Sequence, residues 1–135
     1  MIKYTNSLEN ITEENLKGFF HGWPNPPSTE KHLKLLENSS YFWLAVEDSS
    51  GKVAGFINAV SDKTLSAYIP LLEVLPEYKG QGIGSELVKL MFNTLKDYYM
   101  VDLVCDEGLT SFYKRFKMFD AKGMMLRNFE MQCGK

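Results

Sequence analysis

Three glycines stand at alternate positions, Gly80, Gly82 and Gly84, between a segment that reads as a strand and the longest amphipathic segment of the chain. Upstream, the stretch from about Ala67 to Leu75 is largely apolar and stops at Pro76. Downstream, Gly84, Leu87, Val88, Met91, Leu95 and Tyr98 recur at helical spacing, which predicts a helix from Gly84 to about Asp97. Glycine admits left-handed backbone angles and leaves no Cβ over the amides. Successive N–H groups in such a turn face one concavity, reinforced by the positive end of the following helix. A pyrophosphate suits that concavity, and Lys79 adds a charge-assisted contact. Two nucleotide motifs fail here. A dinucleotide fingerprint needs a further glycine where Ser85 or Leu87 stands, and no Gly-Lys-Ser or Gly-Lys-Thr triplet exists for a Walker loop.

The flanking segments predict the rest of the fold. Thr12 to Phe20 reads as a helix with Thr12 as cap and acids in its first turn. Trp23-Pro24-Asn25-Pro26-Pro27 breaks it, and Ser28 or Thr29 caps a second helix carrying Leu33, Leu35 and Leu36. Tyr41–Val46 and Val53–Val60 are aromatic and β-branched and flank a turn cluster, which predicts a β-hairpin. Met100–Cys105 reads as a strand, and Leu109, Phe112, Tyr113 and Phe116 mark one face of a short helix. Met118 to about Met131 reads as one or two closing strands around Gly123. The order predicts an α+β fold with a mixed, mainly antiparallel sheet of six to seven strands and about four helices.

At 135 residues, the chain is read as a single domain over 1–135 with one sizeable core. Lys and Arg total 15 against 17 for Asp and Glu, so no basic excess exists to neutralise phosphates, and neither nucleic acid nor a membrane is an expected partner. No apolar run reaches the ~18 residues of a spanning helix, and the N-terminus lacks an apolar signal core. Cys105 and Cys133 make neither a disulfide framework nor a metal cluster, so the expectation is a cytoplasmic protein without a metal.

Lys79-Gly80-Gln81-Gly82-Ile83-Gly84 resembles the acyl-CoA-binding motif of the GNAT superfamily of N-acetyltransferases: Gln or Arg, any two residues, Gly, any residue, then Gly or Ala. Lys79 departs at the first position, which is tolerable because backbone amides do most of the binding. Leu72 to Tyr78 also resembles the fourth strand of that family and its exit, and the element order agrees across nearly the whole chain. The resemblance implies acetyl-CoA as cosubstrate, gripped by Lys79, Gly80, Gln81, Gly82, Ile83, Gly84 and Ser85. It also implies a bulged fourth strand whose freed N–H polarises the thioester carbonyl. The backbone of Leu72 and Val74 would then lie along the pantetheine arm.

Asp106 to Arg115 resembles a second family segment: Phe112-Tyr113 and Arg115 match, while Asp106 and Leu109 replace Asn and Ala, and the Gly-Phe that follows falls on Lys117-Met118. Tyr113 is thereby the implied general acid; a phenol with a pKa near ~10 can share a proton with a departing thiolate near ~8.5. The base stays open among Glu73, His21 and a water relay. Strict alternation along the strand would turn Glu73 away from the cleft and leave Tyr68 and Pro70 facing it. His21, Trp23, Asn58 and Tyr68 are the candidates for acceptor contacts.

The implied activity is direct transfer of an acetyl group to a primary amine of a small molecule or a peptide or protein, by a monomer or homodimer. A non-catalytic acyl-CoA-binding or regulatory domain is the second reading, and an unrelated nucleotide- or pyrophosphate-binding module the third.

Overall fold

The computed structural model describes residues 1–135. Along the chain run β1 (Ile2–Thr5), α1 (Thr29–Asn38), β2 (Tyr41–Glu47), β3 (Val53–Ser61), β4 (Ser66–Val74), α2 (Ile83–Thr94), β5 (Met100–Leu103) and α3 (Thr110–Lys114). Short 3-10 turns occupy Glu13–Leu16, Pro76–Tyr78, Glu107–Leu109 and Phe129–Met131. The strands form one sheet in the order β1-β2-β3-β4-β5. The first three pairings are antiparallel, and β4 with β5 is parallel. This is the mixed α+β architecture expected, with fewer strands.

Apolar residues on the two sheet faces build two cores. Ala45, Ile57, Ala59, Ala67 and Ile69 pack against Leu87, Val88, Met91 and Leu95 of α2. On the other face Leu44, Val53 and Phe56 pack against Leu36 of α1 and against Leu16, Phe19 and Phe20. Ser28 caps α1, its Oγ accepting the Lys31 N–H at 3.1 Å. Asp62 organises the β3–β4 turn, one carboxylate oxygen accepting the N–H groups of Thr64, Leu65 and Ser66 at 2.9, 2.9 and 3.1 Å.

Two expected elements do not form. The segment Thr12–Phe20 makes one 3-10 turn in place of a helix. The Asn15 side chain holds the Thr12 N–H at 2.7 Å, but Gly18 (φ 98°) and Phe20 (φ 61°) then take left-handed angles. That reversal turns Phe19 and Phe20 into the core instead of continuing the coil. The closing strands between Met118 and Met131 are also absent. Phe119 is 86 %, Met124 90 % and Leu126 95 % exposed, so these residues join no ladder, and the outer edge of β5 stays open.

β4 carries a bulge that reshapes the site. Val60 pairs with Tyr68 and Asn58 with Leu71, so β4 spends one residue more than β3 over this interval. Pro70, which has no N–H for the ladder, lies in it. The extra residue resets the alternation: Ala67 and Ile69 before it, and Leu72 and Val74 after it, all pack toward the α2 core, while Leu71 packs on the α1 side. β5 pairs with β4 only from Ser66 to Ile69, so the outer edge of β4 beyond the bulge has no neighbouring strand.

Candidate functional site

The open edge of β4 has a defined hydrogen-bonding direction. The Leu75 N–H donates to the Ala54 carbonyl at 2.8 Å, back toward β3. Ladder alternation therefore points the N–H groups of Leu72 and Val74 outward, away from β3. Beyond Leu75 the 3-10 turn Pro76–Tyr78 is tied down by the Tyr78 hydroxyl, which donates to Glu47. Lys79 leads into Gly80 and Gly82, both left-handed at φ 81° and 80°, and Gly82 is the N-cap of α2. The backbone N–H groups of Gly80, Gln81, Gly82, Ile83, Gly84 and Ser85 donate to no acceptor in the protein; the first bond of the helix is Glu86 N–H to Gly82 carbonyl at 3.1 Å. These unpartnered donors lie together at a helix N-terminus, where the backbone carries partial positive charge. A Cβ at Gly80 or Gly82 would meet nothing within 4 Å, so a side chain there would project into open space.

Gly84 has another role. It lies in the first turn of α2, where a Cβ would rest 3.8 Å from Val74 and 3.9 Å from Phe112, an ordinary contact. What seats this helix end so close to the sheet is Gly55 of β3. A Cβ there would lie 3.1 Å from the Glu73 carbonyl oxygen and 3.2 Å from Ile83. Arg115 of the α3 C-cap reaches the same place, donating to Ser85 Oγ at 3.1 Å with its guanidinium 4.9 Å from the centre of the Phe112 ring. It brings a positive charge to the first turn of α2.

Tyr113 belongs to the core cluster that includes Ile83 and Leu87, with Leu72 and Val74 packed at its margin. It is 9 % exposed, and burial, with the Cys105 thiol adding to it, pushes its phenol up to about 12. A group so placed stays protonated through neutral and alkaline pH. Tyr113 makes no side-chain hydrogen bond within the protein and sits in the core cluster rather than in the lining of a cavity.

At the open edge of β4 a cavity of about 240 Å³ is lined by His21, Trp23 and Glu73 together with Leu72, Val74 and Lys79. The bulge is what brings Glu73 to this cavity, contrary to strict alternation. Its carboxylate accepts the N–H of Phe20 at 2.9 Å and of His21 at 3.2 Å, so it also anchors the left-handed loop that supplies Trp23.

Residues 8–118 match the model of the family described as the acetyltransferase (GNAT) family. The chain belongs to that family. A crystal structure of a Deinococcus radiodurans R1 protein assigned to the acetyltransferases is 43 % identical, with a TM-score of 0.95 over 98 % of this chain and 92 % of the other. A GNAT-family acetyltransferase from Streptococcus pneumoniae TIGR4 is 30 % identical, with a TM-score of 0.75 over 95 % of this chain and 98 % of its own. An uncharacterized N-acetyltransferase of Pyropia yezoensis is 28 % identical over 119 residues, which span 83 % of this chain and 67 % of that relative.

Within this GNAT chain, the fold brings His21, Trp23 and Glu73 around one cavity and leaves two other expected acceptor contacts outside it. Asn58 is 3 % exposed and donates from Nδ2 to Ser39 Oγ at 3.0 Å, beneath the end of α1. Tyr68, 37 % exposed, lines neither this cavity nor the one beside it. Lys117, standing where the family motif has glycine, adopts φ 68°, so the left-handed exit from α3 forms without glycine. Leu71, Lys31 and Lys34 were not singled out by motif or spacing, yet all three line a second cavity beside the first. Only the i, i+3 spacing of the two lysines on one helix hinted at a shared face.

Proposed function

We propose that this chain is one N-acetyltransferase domain that uses acetyl-CoA and transfers the acetyl group directly to a primary amine. The observation that carries the reading is the run of unpartnered amides from Gly80 to Ser85, set just beyond the open edge of β4. These residues fit the coenzyme. The amide cradle and Lys79 suit a diphosphate, and the outward N–H groups of Leu72 and Val74 suit a pantetheine arm, whose amides pair as a peptide strand would. When bound, acetyl-CoA supplies the activated acyl group as a thioester.

The remaining work falls to the chain. Lys79 and the amides from Gly80 to Ser85 anchor the cosubstrate, and Arg115 adds positive charge through Ser85. An outward N–H at the bulged end of β4 polarises the acyl carbonyl. Tyr113 stays protonated and offers its O–H as a hydrogen-bond donor to the leaving sulfur. Glu73 faces the acceptor cavity with lone pairs left over after holding Phe20 and His21, so it offers a proton acceptor directly or through a water. The unpartnered Tyr113 hydroxyl favours an enzyme over a non-catalytic binder, which needs no proton donor there.

Thermal shift with acetyl-CoA, ATP and NAD side by side tests the reading. Acetyl-CoA alone should raise the melting temperature, increasingly with concentration, and a panel of amines should then release free thiol. Equal shifts with ATP would leave only a nucleotide module. A shift without thiol release from any amine would leave only a binding domain.

A further inference from the structure

A second cavity, of about 300 Å³, adjoins the first and shares Trp23 and Leu71 with it as a common wall. Lys31 and Lys34 line it from one face of α1, opposite Gln132 of the C-terminal segment. Its lining holds no acidic residue, although the chain as a whole carries a net charge of −2. The ion pairs of the protein are Lys3–Asp48, Lys17–Glu14 and Lys114–Asp120, so neither Lys31 nor Lys34 has a carboxylate within the 4.0 Å of an ion pair. The wall is built and not frayed. Gln132 Oε1 accepts the Asn25 N–H at 2.9 Å, and the Trp23 ring lies 4.9 Å from that of Phe20.

The two cavities together are bipolar. Glu73 is the only acid lining either one, and it sits in the cavity beside β4. The lysine pair lines the other cavity, which has Trp23 and Leu71 in common with it. A ligand with an ammonium at one end and an anion at the other would satisfy both charges at once. An uncharged or purely cationic amine would leave two unpaired lysines along its path. The lysines sit apart from the Gly80–Ser85 cradle and lie on another element, so they are not needed for a diphosphate held there.

We propose that the acceptor is a small amine bearing a carboxylate or phosphate, its anion held by Lys31 and Lys34 and its amine brought beside Glu73. This rests on the acetyltransferase reading and narrows it to a substrate class. The test is thiol release from matched pairs: an amine ending in a carboxylate against its amide, and a phosphoamine against its alcohol, with spacers of two to six carbons. Ethanolamine with phosphoethanolamine and 6-aminohexanoate with its amide are such pairs, and the phosphate and carboxylate arms identify the anion. Wild-type enzyme should favour the charged member of at least one pair by about tenfold or more in kcat/KM. Lys34→Glu, and separately Lys31→Glu, should erase that preference by raising KM for the charged member while leaving kcat and the KM for acetyl-CoA unchanged. As a readout apart from turnover, calorimetry with the preferred charged amine and CoA should show binding to wild type and its loss in both variants. If neutral members react as well as charged ones, or if the variants keep the preference, the inference is wrong and the proposed function stands. If no amine is acetylated at all, the proposed function falls and the inference with it.

Discussion

His32 offers a sharp physical test of the packing behind the acceptor side. Its ring is 1 % exposed, and both ring nitrogens are buried without a hydrogen-bond partner. Phe56, Phe20 and Phe19 surround it at centroid distances of 4.4, 4.9 and 5.3 Å. An imidazolium there would lose its hydration and gain no anion, so burial pushes the pKa down from 6.5 to about 4. The folded state therefore refuses a proton that the unfolded chain accepts. Stability from this group is complete above about pH 6.5 and is lost as pH falls toward 4. With those pKa values the loss is about 2 kcal/mol by pH 5 and about 3 kcal/mol in the limit. Urea unfolding of wild type and His32→Phe between pH 7.5 and 5 measures it. Glu47 and Asp62 are also held below their usual carboxylate range, by the Tyr78 hydroxyl and by the Leu65, Ser66 and Thr64 amides, but they titrate in both proteins and cancel in the difference. Whatever the substitution costs in packing shifts both ends of the variant's curve alike. Wild type should lose about 2 kcal/mol more than the variant over that range. Parallel curves would show that the buried imidazole is protonated as readily as in water, and the reasoning would fail.

Tyr113→Phe should lower kcat by about 100-fold while acetyl-CoA affinity by calorimetry stays near wild type, because only the proton donor is removed; unchanged turnover would dismiss the acid role. Gly82→Val should abolish acetyl-CoA binding, since it places a branched side chain at φ 80° in the cradle, whereas Gly84→Ala should retain binding because its Cβ finds ordinary contacts at 3.8 and 3.9 Å. Retained affinity in Gly82→Val would refute the cradle. Lys117→Gly should raise the unfolding free energy by about 0.5–1 kcal/mol through relief of the left-handed strain at φ 68°, as measured by urea midpoint.

Local chemistry made much of this protein legible before its shape was known. The hairpin, the strand before Pro76, the amphipathic α2 and the glycine turn between them each depend on neighbours within a few residues, and period and turn composition report such neighbours directly. The left-handed backbone of Gly80 and Gly82 was legible for the same reason: left-handed glycines and a helix start are local properties. The Thr12–Phe20 segment was misread because its helical pattern was overridden by Gly18 and Phe20, whose left-handed angles serve burial of Phe19 and Phe20 against Phe56. The tail from Met118 was misread because a strand exists only where another strand receives its hydrogen bonds, and apolar content alone does not supply one.

Sequence alone thus determined the amide-lined turn, the tyrosine on its short helix and the class of fold, all of which follow from spacing along one segment. Tertiary structure alone decided which way Glu73 faces, because one extra residue in β4 opposite β3 inverts the alternation. It decided that Gly55, far from the motif, is what lets α2 approach the sheet. It also decided that Lys31 and Lys34 share a wall with Trp23 and Leu71. Those facts depend on which distant segments pack against each other, and no periodicity within a single segment records that.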